Sequence, residues 1–235
     1  AEFRLPLLIG AFRFAALEAV IVNKATSLVV VASGLPFRAA AVPLGDVAAR
    51  WPVILNLLVG SLLGAWLGAG WATRIKSHTL YRVIAVLLLV IAAVLLVGHD
   101  PRAVGQPLVS GSLQMVAGVV AGFIIGVVAS LLGVAGGELL IPTLVLLFGV
   151  DIKLAGSLSL AVSLPTMIVG FTRYSQDRSF AVLGKNRPFV LVMAIGSIVG
   201  TFIGARLLGL VPSAILLPLL AAILIISAIK VWRHK

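Results

Sequence analysis

Apolar residues in this chain come in long runs instead of alternating with polar ones. Residues 52–73, 83–97, 115–135, 154–172, 188–205 and 207–229 are each almost free of charge. Most of these runs approach the ~20 residues that a helix needs to cross a bilayer. In hydrocarbon every backbone N–H and C=O must find its partner within the protein, so only helices or a closed barrel can cross. The runs lack the two-residue alternation of barrel strands, which leaves helices. The pattern predicts an all-α polytopic membrane protein.

The runs also repeat. A shift of 136 positions lays the first part of the chain on the last part without a gap: Glu2 falls on Glu138, Pro6 on Pro142 and Phe12 on Phe148. Ser27 then meets Ser163, Gly34 meets Gly170, and Gly60, Gly64 and Gly68 meet Gly196, Gly200 and Gly204. Matches of Gly, Pro and Ser weigh more than matches of Leu, which any two apolar helices share. The reading is two copies of one unit, residues 1–98 and 112–235, joined by a linker at 99–111. Copy two predicts helix A at 112–132, a short A′ at 138–149, then B, C and D at 152–172, 188–207 and 213–231. The counterpart of helix A in copy one would fall before residue 1. The expectation is therefore that the first helix of repeat one is missing and that the natural protein continues upstream.

Charge refines the topology. In copy one the C–D loop is rich in cations (Arg74, Lys76, Arg82) and the B–C loop has Arg38 and Arg50, whereas in copy two the B–C loop is the rich one (Arg173, Arg178, Lys185, Arg187) and the C–D turn has Arg206. Cationic loops face the cytoplasm, so the same loop faces opposite sides in the two copies and the repeats are predicted to be inverted. Inversion needs an odd number of crossings per copy. Helices A, C and D supply three, so A′ and B must return to the side they left; A′ is too short to span comfortably, and a re-entrant or broken hairpin is expected. The basic tail, Lys230, Arg233 and Lys235, places the C-terminus in the cytoplasm of a multi-pass inner-membrane protein.

Composition agrees: 61% hydrophobic and 11% charged residues are more apolar surface than a water-soluble domain can hide. The net charge of +11 would suggest nucleic acid in a soluble protein. Here the cations sit in loops and meet lipid headgroups, so the partners predicted are membrane lipid and a small anion, not nucleic acid; a homo-oligomer is compatible with the pattern. There is no Cys, and His78, His99 and His234 are scattered, so neither a metal nor a cofactor is expected. No H-E-x-x-H, nucleophile elbow or Walker loop occurs, and an enzyme is not predicted. Trp51, Trp71 and Trp232 sit at span ends, as interface anchors do.

Three features carry candidate chemistry. The first is the glycine break Gly133-Val-Ala-Gly136-Gly137. Glycine lets a ligand approach the main chain, and the helix that follows would aim unpaired N–H groups at the gap, a ready anion site. Tight helix packing is the competing account. The second is a polar stripe on helix B, with Asn23 and Ser27 four residues apart, repeated as Ser159 and Ser163 and flanked by Thr26 and Lys24. Helix-to-helix hydrogen bonds would explain any one of these hydroxyls. Lys24 is the sharper signal, because a cation within a span is costly and by default functional, unless it snorkels to the surface. The third is the pair Glu2 and Glu138 at the break, readable as proton-coupling carboxylates or as first-turn residues that complement a helix dipole. The Gly60/Gly64/Gly68 and Gly196/Gly200/Gly204 ladders lie inside continuous spans and read as packing surfaces.

The residues around the break, Gly122, Gly126, Gly133, Gly136-Gly137, Pro142, Leu144, Gly149, Lys153, Ala155 and Ser159, resemble the sulfite exporter TauE/SafE family, also called the toluene sulfonate uptake permease family. In copy one, Pro6 and Asn23-Lys24-Ala25-Thr26-Ser27-Leu28 are similar to that family's second-helix pattern. The break of the family often carries a third consecutive Gly, where this chain has Ala135. The resemblance implies a cytoplasmic-membrane permease for small anions, often sulfur-containing, such as sulfite or sulfonates. The function expected is a secondary transporter that alternates access between inverted repeats. An anion channel and a non-transporting membrane anchor are the rival readings.

Overall fold

The structure is a computed structural model that describes residues 4–39, 42–97, 107 and 109–207, with isolated positions 222, 225, 226 and 229. Ten α-helices follow one another among them: α1 (Arg4–Gly10), α2 (Ala16–Arg38), α3 (Leu44–Ala49), α4 (Trp51–Ala72), α5 (Ser77–Val97), α6 (Gly111–Leu132), α7 (Gly137–Phe148), α8 (Ile152–Tyr174), α9 (Ala181–Lys185) and α10 (Arg187–Leu207). A 3-10 turn at Arg178–Phe180 precedes α9, and the described residues contain no strand. Five helices, α2, α4, α6, α8 and α10, are long and apolar enough to cross a membrane. The expected all-helical architecture, with helices apolar and long enough for a membrane, is what the described residues adopt. Helix α2 and helix α8 begin and end at positions related by the 136-residue shift, and α4 and α10 begin so too.

Local chemistry fixes the ends that matter. Helix α8 starts where the Asp151 carboxylate accepts hydrogen bonds from the N–H groups of Lys153 and Leu154. Helix α6 stops at Gly133, which is left-handed at φ 66° and returns its N–H to Ser130, while Val134 N–H reaches the Ala129 carbonyl. Gly149 closes α7 in the same manner, left-handed at φ 63°, with Val150 N–H on Leu144. Arg38, counted above with a loop, belongs to the last turn of α2, because that helix runs through Pro36.

Packing sets the helix directions. Along α4 and α6 the contacts rise together: a Cβ on Gly60 would run into the Val119 carbonyl, one on Gly64 into that of Phe123, and one on Gly68 would lie 2.9 Å from Val127 Cα. From the other side, Gly122 and Gly126 meet the carbonyls of Leu57 and Ser61. The two helices are therefore parallel, with backbones in near contact through small residues. Helix α8 lies parallel to α4, Thr166 bonding Ser61 and Arg173 reaching Gly70. Helix α2 runs the opposite way along α8: Gly34 faces Leu160 near one end, and Lys24 faces Gly170 near the other. Helix α10 goes with α2, Thr201 beside Gly34 and Phe202 on Phe37. So α4, α6 and α8 point one way, and α2 and α10 the other.

Helix α7 folds back along α6. Gln114 Nε2, early in α6, donates to the Leu147 carbonyl at 2.6 Å, and the Phe148 ring fills the notch at Gly118. Twelve residues span about 18 Å, less than the ~30 Å of bilayer hydrocarbon. The break between α6 and α7 is thus the tip of a hairpin, and it is α6 with α7 that folds back: α8, the helix B expected to return with A′, is itself long and apolar enough to cross. The ladder Gly60/Gly64/Gly68 is a packing surface, as its spacing suggested. The matching Gly196, Gly200 and Gly204 of α10 meet nothing within 4 Å among the described residues.

Candidate anion site at the glycine break

Three long helices converge on the break. Helix α2 passes so close to Gly133 that a Cβ there would strike the Val20 carbonyl and lie 3.2 Å from Lys24 N. With φ positive and the space filled, only glycine fits. Helix α8 lines the other side at its central turns. Ser163, the middle residue of α8, donates to the Ala135 carbonyl at 2.7 Å, and Gly137 faces Ser159 Oγ.

Asn23 and Lys24 hold the α6 side of the gap. Both are fully buried. Asn23 Nδ2 donates to the Leu132 carbonyl at 3.0 Å, which anchors α6 at its last residue. Its Oδ1 has no hydrogen-bond partner among the described residues. Lys24 Nζ donates to Ser130 Oγ at 3.4 Å and lies 6.0 Å from the centre of the Tyr174 ring. Ser130 passes its own proton to the Ala65 carbonyl, and Tyr174 Oη donates to the Ser130 carbonyl at 2.9 Å. Lys24 does not snorkel: it and Tyr174 lead the fully buried side chains by size. The hydrogen-bond and ring partners shown for its ammonium are neutral, and a cation so placed favours an anion arriving beside it.

The break itself offers further donors. Gly136 is left-handed at φ 78° and caps α7, whose first N–H groups have no intrahelical acceptor. Leu139 and Leu140 already donate to the Gly136 carbonyl, and Gly133 and Val134 are spent on α6. What remains for a ligand is the short stretch around Gly136 and Gly137. Glu138 lies half-buried in the first turn of α7, where a negative charge complements the helix dipole. Glu2 lies outside the described residues.

The sequence-predicted residues therefore divide. Asn23, Lys24, Gly133, Gly136, Gly137, Ser159 and Ser163 gather around the break. Thr26 does not join them; its hydroxyl turns back onto the Val22 carbonyl of its own helix at 2.8 Å. Ser159 is next to Gly137, yet its proton goes to the Gly156 carbonyl. Ser27 serves a different cluster, accepting from Arg4 at 2.7 Å. Ser130, Tyr174, Arg4 and Arg38 were not singled out from sequence. Arg38 spans to α8, donating from Nε to Ser157 Oγ at 3.3 Å and to the Lys153 carbonyl at 3.1 Å. By the 136-residue shift it is the counterpart of Tyr174. Position alone could have paired these two as the inter-helix ties at the ends of α2 and α8.

Among the described residues no group of three or more His, Asp or Glu could hold a metal. The family model described as Sulfite exporter TauE/SafE matches residues 3–231. No curated protein and no solved structure matches the chain significantly. With nearly its whole length matched and its spans and glycine break in place, the chain belongs to the sulfite exporter TauE/SafE family of membrane transporters.

Proposed function

We propose that the chain is a secondary transporter for a small, sulfur-containing oxyanion such as sulfite or a sulfonate. The observation that carries this reading is Lys24: a fully buried ammonium at the tip of a broken-helix hairpin, with a hydroxyl and an aromatic ring for company. Lys24 supplies the charge, the N–H groups around Gly136 and Gly137 take oxyanion lone pairs, and Asn23 and the central turns of α8 shape the pocket. If transport is proton-coupled, this reading assigns the coupling to Glu138, whose position in the first turn of α7 equally suits a helix-dipole partner.

The same helices carry an account of access. The counterparts α2 and α8 run antiparallel, and α4 and α10 point in opposite directions, as two inverted repeats would. Alternating access then follows from rocking one repeat against the other about the break. Arg13, Arg74, Lys76, Arg173, Arg178, Lys185 and Arg187 lie near one end of the helix bundle, and Arg38, Arg50 and Lys153 near the other. On this reading the richer end is the cytoplasmic face of the inner membrane.

Lys24→Ala and Lys24→Arg, reconstituted in liposomes with a panel of sulfite, sulfate, sulfonates and carboxylates, test the assignment. Lys24→Ala is expected to cost at least about tenfold in apparent affinity for the transported anion. Unchanged affinity and rate would remove Lys24 from the site.

A further inference from the structure

Asn23 brings a buried acceptor to the break with nothing to accept. Its side chain is fully buried, and chemistry fixes which way the amide faces. The Leu132 carbonyl can only accept, so Nδ2 must be the atom that meets it, at 3.0 Å. Oδ1 belongs to the same planar amide and therefore stays beside the break, with no hydrogen-bond partner among the described residues. A buried oxygen left unpaired is costly, and native structures keep few of them without a reason. The other such oxygen among the described residues, Asn56 Oδ1, belongs to a half-buried residue early in α4. Its Nδ2 bonds the Met115 carbonyl near the start of α6, the end far from the break.

The hydroxyls near Asn23 have all given their protons elsewhere. Ser130 donates to the Ala65 carbonyl, Tyr174 to that of Ser130, and Ser163 to that of Ala135. Ser159 and Thr26 turn onto their own helices, at Gly156 and Val22. The N–H groups of Gly133 and Val134 return to α6, and Lys24 Nζ is directed to Ser130. None of these donors is left for Oδ1. The amide that ties α2 to α6 thus keeps one lone-pair face in reserve, one residue along from the buried cation.

Charge and acceptor together define a ligand. Lys24 supplies one positive charge, and the partners shown for its ammonium are neutral. One cation balances one negative charge. A second anionic oxygen would meet Oδ1 lone pair against lone pair, whereas an O–H or N–H there makes a hydrogen bond. A site built around such an acceptor discriminates against analogues that lack the donor. We infer that Asn23 is a specificity-determining residue whose Oδ1 accepts a hydrogen bond from the substrate, an oxyanion of charge −1 that carries an O–H or N–H, as singly protonated sulfite does. The inference rests on the transport reading above and narrows its substrate class.

The test is counterflow of labelled sulfite in proteoliposomes of the full chain, with three unlabelled competitors. Sulfamate and methanesulfonate are both singly charged and similar in shape, but sulfamate has N–H donors where methanesulfonate has a methyl group. Sulfate is doubly charged and has no donor. Sulfamate is expected to compete about tenfold better than methanesulfonate, and sulfate least well. Asn23→Leu, which replaces the amide with an apolar side chain of similar size, should make sulfamate and methanesulfonate equal; thermal unfolding is recorded beside it. Should Asn23→Leu not fold, Asn23→Ala is read in the same way. Equal competition by sulfamate and methanesulfonate in the parent chain, strongest competition by sulfate, or a preference for sulfamate that survives the loss of the amide would overturn the inference. Asn23 would then be a tie between α2 and α6 alone. Absence of any counterflow in the parent chain would instead overturn the transport reading beneath it.

Discussion

Lys24 and Gly170 touch across the α2–α8 interface: a Cβ on Gly170 would lie 2.7 Å from Lys24 Cε and 2.8 Å from its Nζ. The glycine is what leaves room for the buried cation. At its repeat counterpart, Gly34, a Cβ would lie 3.5 Å from Leu160 Cδ1, so the same contact recurs with an apolar partner and looser packing.

That asymmetry gives a matched pair of variants. Gly170→Ala should displace the Lys24 ammonium from Ser130 and lower transport, with an effect approaching that of Lys24→Ala. Gly34→Ala should be nearly neutral, since its new Cβ would meet only ordinary van der Waals contacts. Uptake rates at several substrate concentrations, normalised to reconstituted protein, check both.

Tyr174→Phe removes the hydroxyl that ties α8 to the Ser130 carbonyl while keeping the ring beside Lys24. Hydrogen bonds between membrane helices are worth about 0.6 kcal/mol on average and up to ~1.7 kcal/mol. Thermal unfolding in detergent should therefore show a small destabilisation within that range. A larger loss would place Tyr174 deeper in the site than its one hydrogen bond suggests.

Substitution at the two glycine ladders should divide sharply. Gly64→Val drives a branched side chain into the Phe123 backbone and should part α4 from α6, so that little folded protein is recovered. Gly200→Val, at the counterpart on α10, meets nothing within 4 Å among the described residues and should cost less folded protein than Gly64→Val. Size-exclusion profiles of the two variants read the difference directly.

Topology can be read by single cysteines, because the chain has none of its own. Gln176→Cys, just after α8, and Gly45→Cys, in α3, are both exposed and lie towards opposite ends of the bundle. In intact cells a membrane-impermeant thiol reagent should label Gly45→Cys and spare Gln176→Cys until the membrane is opened. Labelling in the reverse order would invert the orientation, and labelling of both would break the opposed arrangement.

Much of this architecture was legible before the structure, for physical reasons that apply unevenly. Hydrocarbon forces long uncharged runs, so the spans could be read directly, and the 136-residue shift recurs in the bounds of α2 and α8. The break was legible because Gly133 and Gly136 need left-handed backbone. Lys24 stood out because charge within a span is rare. Ser130 and Tyr174 carried no such mark: a lone hydroxyl in an apolar helix has the same local pattern whether it holds a lysine or a carbonyl. Arg4 escaped notice because it lies next to the chain start, and the serines it bonds, Ser27 and Ser197, are 23 and 193 residues away. Arg38 looked like a loop charge until α2 proved to run through it. Such pairings are set by helix crossings that no local pattern encodes.

The claim that organises the rest is that this chain carries a small anion by alternating access. Counterflow measures it most directly: labelled sulfite outside liposomes containing the full chain, with and without unlabelled sulfite inside. The account predicts uptake that saturates and that internal sulfite accelerates. Flux that rises linearly with concentration and ignores internal sulfite, or uptake no greater than in protein-free liposomes, would contradict it.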